Sequence, residues 1–182
     1  MRKSSAFTLI ELLIVIAIIG ILMSLLFPAV NGAIDAARKA QAKNDVTQIA
    51  TAVIAYETEY GKLPTSPTSD ATMDAKAAAA GDIISILANM NSPTNDNPRR
   101  IVFLEVQTAK KGKSGIGTNG SFVDPWGGTY QIRLDGDYDN TFSNVSVPSL
   151  TSDGGSDSVT VRKKVMLWNT NSSYRKRVRS WE

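Results

Sequence analysis

The sequence predicts an α+β fold, in which a long N-terminal α-helix, apolar in its first half and amphipathic in its second, packs on a small antiparallel β-sheet domain. Three observations predict it. Residues 7–60 read as one helix, apolar all round in its first half and amphipathic in its second, with Gly20 and Pro28 as breakers inside it. Residues 61–67 and 91–98 are dense in Gly, Pro, Ser, Thr and Asn, which mark turns. Beyond residue 100 the apolar residues come in short runs bounded by Gly- and Asp-rich loops, as strands do. No internal repeat is visible, and 182 residues suit one globular domain with an appendage.

The first element, residues 7–30, reads FTLIELLIVIAIIGILMSLLFPAV and carries one charge, Glu11. At about 1.5 Å per residue its length crosses a bilayer core of about 30 Å. A segment apolar on every side has to be buried, and a small domain cannot enclose it, so lipid or other copies of the chain are the candidates. A cleaved secretory signal would end in a small-residue cleavage site, whereas here NGAIDAARKAQAKNDVTQ follows and continues the helix.

Residues 31–61 form the amphipathic half. Val46, Ile49, Ala50, Val53, Tyr56 and Tyr60 recur at three- and four-residue spacing, with Asp35, Arg38, Lys39, Lys43, Asp45 and Glu57 largely elsewhere on the wheel. Pro28 has no N–H to give and is expected to kink or loosen the rod. Gly61 stops the helix and LPTSP leads out of it.

The globular domain is assigned to residues 62–182. Within it, residues 74–90 predict a second, shorter helix with Ile83, Ile84, Leu87 and Met90 as its apolar face. RIVFLEV at 100–106 predicts a strand, and residues 110–120 a loop or an exposed hairpin tip. Two more strands are expected at 128–135 and 158–168.

Composition narrows the function. There is no Cys and no His, which removes Ser/His/Asp and Cys/His nucleophile systems and the commonest zinc ligand. The formal charge of +3 falls to +1 once Arg2 and Lys3, ahead of the apolar segment, are set aside, so no nucleic-acid partner is expected. Arg175, Lys176, Arg177 and Arg179 beside Trp181 read as a solvated face, since a phosphate-tracking surface needs a broader stripe. Gly112-Lys113-Ser114 is not a phosphate loop, because Gln107 stands where that motif needs Gly. Glu57 and Glu59 lie two apart on a helix and face different ways, so they are no catalytic pair. Trp126, Tyr130 and Trp168 read as core or domain-surface aromatics.

Two acidic features carry more information. Glu11 is a carboxylate in a helix otherwise fit for lipid, where a central Asp costs about 2.5–3.5 kcal/mol. Either it finds a positive partner, or it sits near the helix start and gains from the dipole. Asp135, Asp137 and Asp139 alternate, so on an extended segment they share a side, and Asp153 and Asp157 stand ready in the next loop. Oxygen-only ligands suit calcium, and a solvated acidic turn is the alternative. The spacing is not an EF-hand, because Asn140 holds the sixth position and Ser146 the twelfth.

The segment Ala6-Phe7-Thr8-Leu9-Ile10-Glu11-Leu12-Leu13 resembles the processing site of type IV prepilins and type II secretion pseudopilins. The resemblance implies a pilin fold, a leader of residues 1–6 that stays cytoplasmic, cleavage between Ala6 and Phe7 by a membrane prepilin peptidase, and N-methylation of Phe7. It implies that Glu11 meets the freed amine of a neighbouring subunit during assembly, with Gly20 and Pro28 at the positions where the family carries a Gly and a Pro. The residue before the cut is Ala6 where the family usually has Gly. Asp124-Pro125-Trp126-Gly127, followed by Tyr130 and by residues 134–139, is similar to major pseudopilins of type II secretion, which bind calcium in their C-terminal loops. Residues 97–105, Trp168 and Ser180-Trp181 also resemble that group.

What this implies is a structural subunit of a type IV pilus-like or type II secretion pseudopilus filament, not an enzyme. Its expected partners are copies of itself, the prepilin peptidase, the lipid bilayer, and an inner-membrane platform with its ATPase. The N-terminus would be cytoplasmic and the domain periplasmic before filament entry. Two rivals stand beside it: a membrane-anchored binding module that never polymerises, and an anchored carboxylate hydrolase built on the 135–157 loops.

Overall fold

The computed structural model describes residues 7–65, 70–74, 82–90 and 96–182. They fall into two compact units that divide between Ala37 and Arg38. The first unit is helix alone beyond Thr8. It is the start of α1 (Leu9–Tyr60), and every residue from 7 to 37 is exposed. Leu9 is 82% exposed and Phe27 69%, so this apolar surface has no partner within its own unit. The helix continues through Pro28, which leaves the Ser24 carbonyl without its usual donor.

The second unit contains the rest of α1 and all of the sheet. Ala42, Val46, Ile49, Ala52, Val53 and Tyr56 are buried, four of them positions that periodicity had put on the apolar face. Ala50 and Tyr60 are half-buried at its edge. Gly61 ends the helix as expected: it adopts φ +68°, where a side chain is disfavoured, and its N–H bonds the Glu57 carbonyl at 2.8 Å.

The elements that follow are β1 (Ala71–Asp74), α2 (Ile83–Leu87), β2 (Gly115–Ile116), β3 (Phe122–Val123), β4 (Tyr130–Leu134), β5 (Phe142–Pro148), β6 (Ser156–Val161), β7 (Val165–Asn169) and a 3-10 turn at Tyr174–Lys176. β4 is the centre of a three-stranded antiparallel sheet, order β1-β4-β7, in register Ala71 to Leu134 and Leu134 to Val165. β2-β3 and β5-β6 form separate antiparallel hairpins.

Two apolar clusters hold this unit. The first gathers the buried face of α1 with Leu63, α2, Tyr130, Ile132 and Leu134 of β4, and Val165 and Leu167 of β7. The second gathers Phe142, Val145 and Val147 of β5 with Met166 and Trp168 of β7. β7 is therefore buried on both faces, which accounts for its unbroken VMLW run.

Three expectations need correction. The helix expected at 74–90 is seen over Ile83–Leu87, while Asp74 belongs to strand β1 and residues 75–81 lie outside the described residues. Met90 falls beyond it and is exposed. RIVFLEV is not a strand. The N–H groups of Phe103 and Leu104 both turn to the Leu87 carbonyl at the end of α2, at 2.8 and 3.1 Å, and Phe103 packs its ring on Tyr56 and Tyr60. Finally, the single strand expected at 158–168 is two strands in two sheets, separated at Arg162–Lys163–Lys164, where three consecutive basic residues leave the core. β5, where polar and apolar residues do not alternate regularly, went unread.

Candidate functional site

The helix start is built from Thr8 and Glu11. The Thr8 N–H and hydroxyl donate to Glu11 Oε2 at 2.9 and 2.7 Å, and the Glu11 N–H donates back to Thr8 Oγ1 at 3.3 Å. This is a capping box, which satisfies donors that the first turn of any helix leaves open. Glu11 is thus placed as a helix N-terminal acid, one turn from Phe7, which is 76% exposed. Ala6 lies outside the described residues. Thr8 went unread in the sequence, although a Thr three positions before a Glu is the capping signature. Gly20 is not required by packing inside the chain, since a Cβ there would meet nothing within 4 Å.

Of the five aspartates considered for a cation, the structure brings two together, and it adds one from far away in sequence. Carboxylate oxygens of Asp70, Asp135 and Asp137 all lie within 4.8 Å of one another. Asp135 is 1% exposed; its Oδ2 accepts the Asn140 N–H at 2.8 Å, while its Oδ1 is buried with no hydrogen bond. Asp70 accepts the Gly136 N–H at 3.3 Å and stands 3.7 Å from an Arg133 nitrogen. Burial pushes both the Asp70 and Asp135 carboxyls up, and neighbouring Asp137 adds to it.

Asp139, Asp153 and Asp157 do not join this group. The 135–140 segment is a turn rather than an extended strand, with Tyr138 and Asn140 at φ +61° and +58°, and Asp139 Oδ1 accepts the Thr141 N–H at 2.6 Å. The alternation argument therefore fails for its third member. Asp153 accepts the Tyr174 N–H at 2.5 Å. Asp157 accepts Arg179 Nη2 at 2.5 Å, and that guanidinium holds its carboxyl below the usual range. Both are already held by the C-terminal segment. Nothing in the local sequence pointed to Asp70, which lies 65 residues before Asp135 in the chain.

The basic run is also corrected. Arg175 is exposed, but Arg177 and Arg179 are each 5% exposed. Arg177 donates from Nε to Asn171 O at 2.8 Å, from Nη1 to Ser149 O and Ser152 O at 2.5 and 2.9 Å, and from Nη2 to Ser172 O at 2.8 Å. Arg179 reaches Pro148 O at 2.8 Å, Asp157, and Glu182 at 2.7 Å, with its guanidinium over the Trp181 ring. These side chains tie the β5-β6 hairpin to the C-terminal segment instead of facing solvent.

Asp124 of the DPWG segment is a turn organiser. It is fully buried; Oδ1 accepts the N–H groups of Trp126 and Gly128, both at 2.8 Å, and Oδ2 accepts Asn169 Nδ2 at 2.7 Å. A Cβ at Gly128 would stand 2.9 Å from that Oδ2, so glycine is required there. From the following strand, Tyr130 donates to Asp45 Oδ2 at 2.9 Å and fastens β4 to α1. Glu57 and Glu59 go to separate partners, Lys164 and Arg99. Tyr130 and Trp168 are buried and Trp126 is half-buried. Cavities of about 320, 220 and 160 Å³ lie along residues 41–55, Met90 and residues 103–122, and none of the three is lined by the 135–157 loops.

Residues 1–27 match the family described as "Prokaryotic N-terminal methylation motif", and residues 33–95 match a "Protein of unknown function (DUF1559)" family. Over 156 residues the chain is 30% identical to a type II secretion system core protein G of Pseudomonas aeruginosa, covering 86% of this chain and 91% of that protein. A protein of the same description from Vibrio cholerae serotype O1 is 27% identical over 174 residues, covering 93% and 94%. Another from Aeromonas hydrophila is 35% identical over 65 residues, covering 36% and 46%. No solved structure matches.

Proposed function

The chain belongs to the type II secretion system core protein G family, and from that premise we propose the route by which this pseudopilus subunit is made and assembled. It is cut between Ala6 and Phe7, methylated at Phe7, held in the inner membrane by residues 7–30 with its domain in the periplasm, and then drawn into a filament of its own copies. One observation carries the reading: every residue from 7 to 37 is exposed, in a helix long and apolar enough to cross a membrane. Surface of that kind needs lipid first and neighbouring helices afterwards.

Glu11 supplies the switch between the two surroundings. Its Oε2 serves the cap, and the carboxylate charge is neutralised by the methylated amine of the neighbouring subunit. Because each copy presents different faces above and below, assembly is heterologous and open. Driving it falls to a platform protein and its ATPase, and the chain itself is a structural subunit without catalysis. The plain-anchor reading keeps one supporting fact, that Glu11 is already bonded within its own chain.

Glu11→Gln separates the two, because Gln can still complete a capping box but carries no charge. Filament yield is expected to fall at least about tenfold, equivalent to about 1.4 kcal/mol, with the amount of membrane-inserted subunit unchanged. Wild-type yield in that variant, or a mature N-terminus in which Phe7 is still joined to Ala6 by mass spectrometry, would end the filament reading.

For a bound cation, Asp70, Asp135 and Asp137 are the set that fits, supported by the orphaned Asp135 Oδ1. Calcium there would supply the missing partner and relieve the carboxylate repulsion. Calorimetric titration of the full chain in detergent is expected to show heat with calcium that Asp135→Asn abolishes; no heat in the wild type sinks it.

A further inference from the structure

Arg177 is a buried cation that, among the described residues, has no carboxylate partner. Four backbone carbonyls converge on its guanidinium instead: Ser149 and Ser152 from the loop between β5 and β6, and Asn171 and Ser172 from the loop after β7. A ring of carbonyl oxygens around a positive charge is the donor set that hard divalent cations use. The loop is closed around it, with the Ser149 N–H on Gly155 O at 2.9 Å and the Ser149 and Thr151 hydroxyls 3.1 Å apart.

The resemblance to major pseudopilins leads one to expect calcium in the C-terminal loops, and the acidic pattern of the sequence offers Asp153 and Asp157 as oxygens there. The residues present do not fit that role. Asp153 is bonded to the Tyr174 N–H, Asp157 to Arg179, and a divalent ion among the same carbonyls would stand against a guanidinium. We propose that the Arg177 guanidinium is the permanent cation of the C-terminal loops, so that residues 149–155 are ordered without calcium. The planar fork of five donors explains Arg in place of Lys: an ammonium with three donors cannot serve four carbonyls in two loops. The proposal is independent of whether the chain polymerises, and of any cation held at Asp70, Asp135 and Asp137.

The test is limited proteolysis of the full chain in detergent micelles, with each cut located by mass spectrometry. Cuts inside 149–157 are scored apart from cuts at 134–140, where a cation on Asp135 would act. In the wild type, the rate of cutting inside 149–157 is expected to be the same with calcium and with EGTA. Arg177→Gln is expected to be cut there at least about tenfold faster under both conditions, since four charge-assisted bonds are lost. Arg177→Lys, which keeps the charge, should fall between the two.

Faster cutting of the wild type in EGTA overturns the proposal, and that comparison needs no variant to fold. Cutting of Arg177→Gln at the wild-type rate overturns it as well.

Discussion

Asp45 shows how a single side chain can work against the fold it belongs to. It accepts the Tyr130 hydroxyl, yet burial raises its carboxyl above the usual value of 3.8, with Asp124 adding repulsion. Its contribution to stability is therefore fully present below pH 3.8 and is lost as pH rises through the raised value in the folded state. Asp45→Asn keeps an acceptor for Tyr130 and removes the charge. The variant is expected to melt above the wild type at pH 7, with the difference closing below about pH 4, in thermal scans across that range. A wild-type advantage at pH 7 would contradict this. Asp157 has the opposite sign: Arg179 lowers its carboxyl, so its contribution is present above 3.8 and is lost as pH falls through the lowered value. The two acids differ because one is half-buried beside a like charge, and the other meets a guanidinium.

Among the elements, β7 decides most of the domain's interior. Val165 and Leu167 enter one cluster and Met166 and Trp168 the other, so one five-residue strand is shared by both cores. Its partner β4 alternates instead, with Tyr130, Ile132 and Leu134 buried and Gln131 and Arg133 half-buried. A strand apolar at every position could as well be a buried helical turn, and the basic residues ahead of it read as part of the same run. That is why 158–168 looked like one strand. α1 was legible at its end because the Gly61 signal is local, and at its start from the apolar run alone, the Thr8–Glu11 cap being seen only in the structure. Residues 100–106 misled for the opposite reason. Their apolar content reads as a demand for strand pairing, but Phe103 packs on Tyr56 and Tyr60 and Leu104 is buried without it, while Val102 stays exposed.

At the scale of the molecule, the chain joins a unit with a core to a unit without one. Residues 38–182 contain both apolar clusters, whereas 7–37 bury none of their side chains. A chain of residues 38–182 is accordingly expected to stay soluble without detergent and to unfold in one cooperative transition, within about 5 °C of the domain transition in the full chain, since an unpacked helix adds little to it. Scanning calorimetry checks this. Aggregation or a broad, non-cooperative melt would show that the domain depends on the preceding helix.

By itself the sequence determined the helix, its apolar and amphipathic halves, its end at Gly61, and the processing motif around Phe7 and Glu11. Each of these depends on residues within a turn or two of one another, or on hydrophobicity summed along one element. Only the tertiary structure decided that Asp70 meets Asp135 and Asp137, that Asp153 and Asp157 belong to the C-terminal segment, and that Arg177 and Arg179 are interior. A charged side chain reads as solvated until the chain places enough oxygens around it. Here those oxygens are largely backbone carbonyls of residues 148–152 and 171–172, and backbone oxygens have no residue identity for a sequence pattern to show.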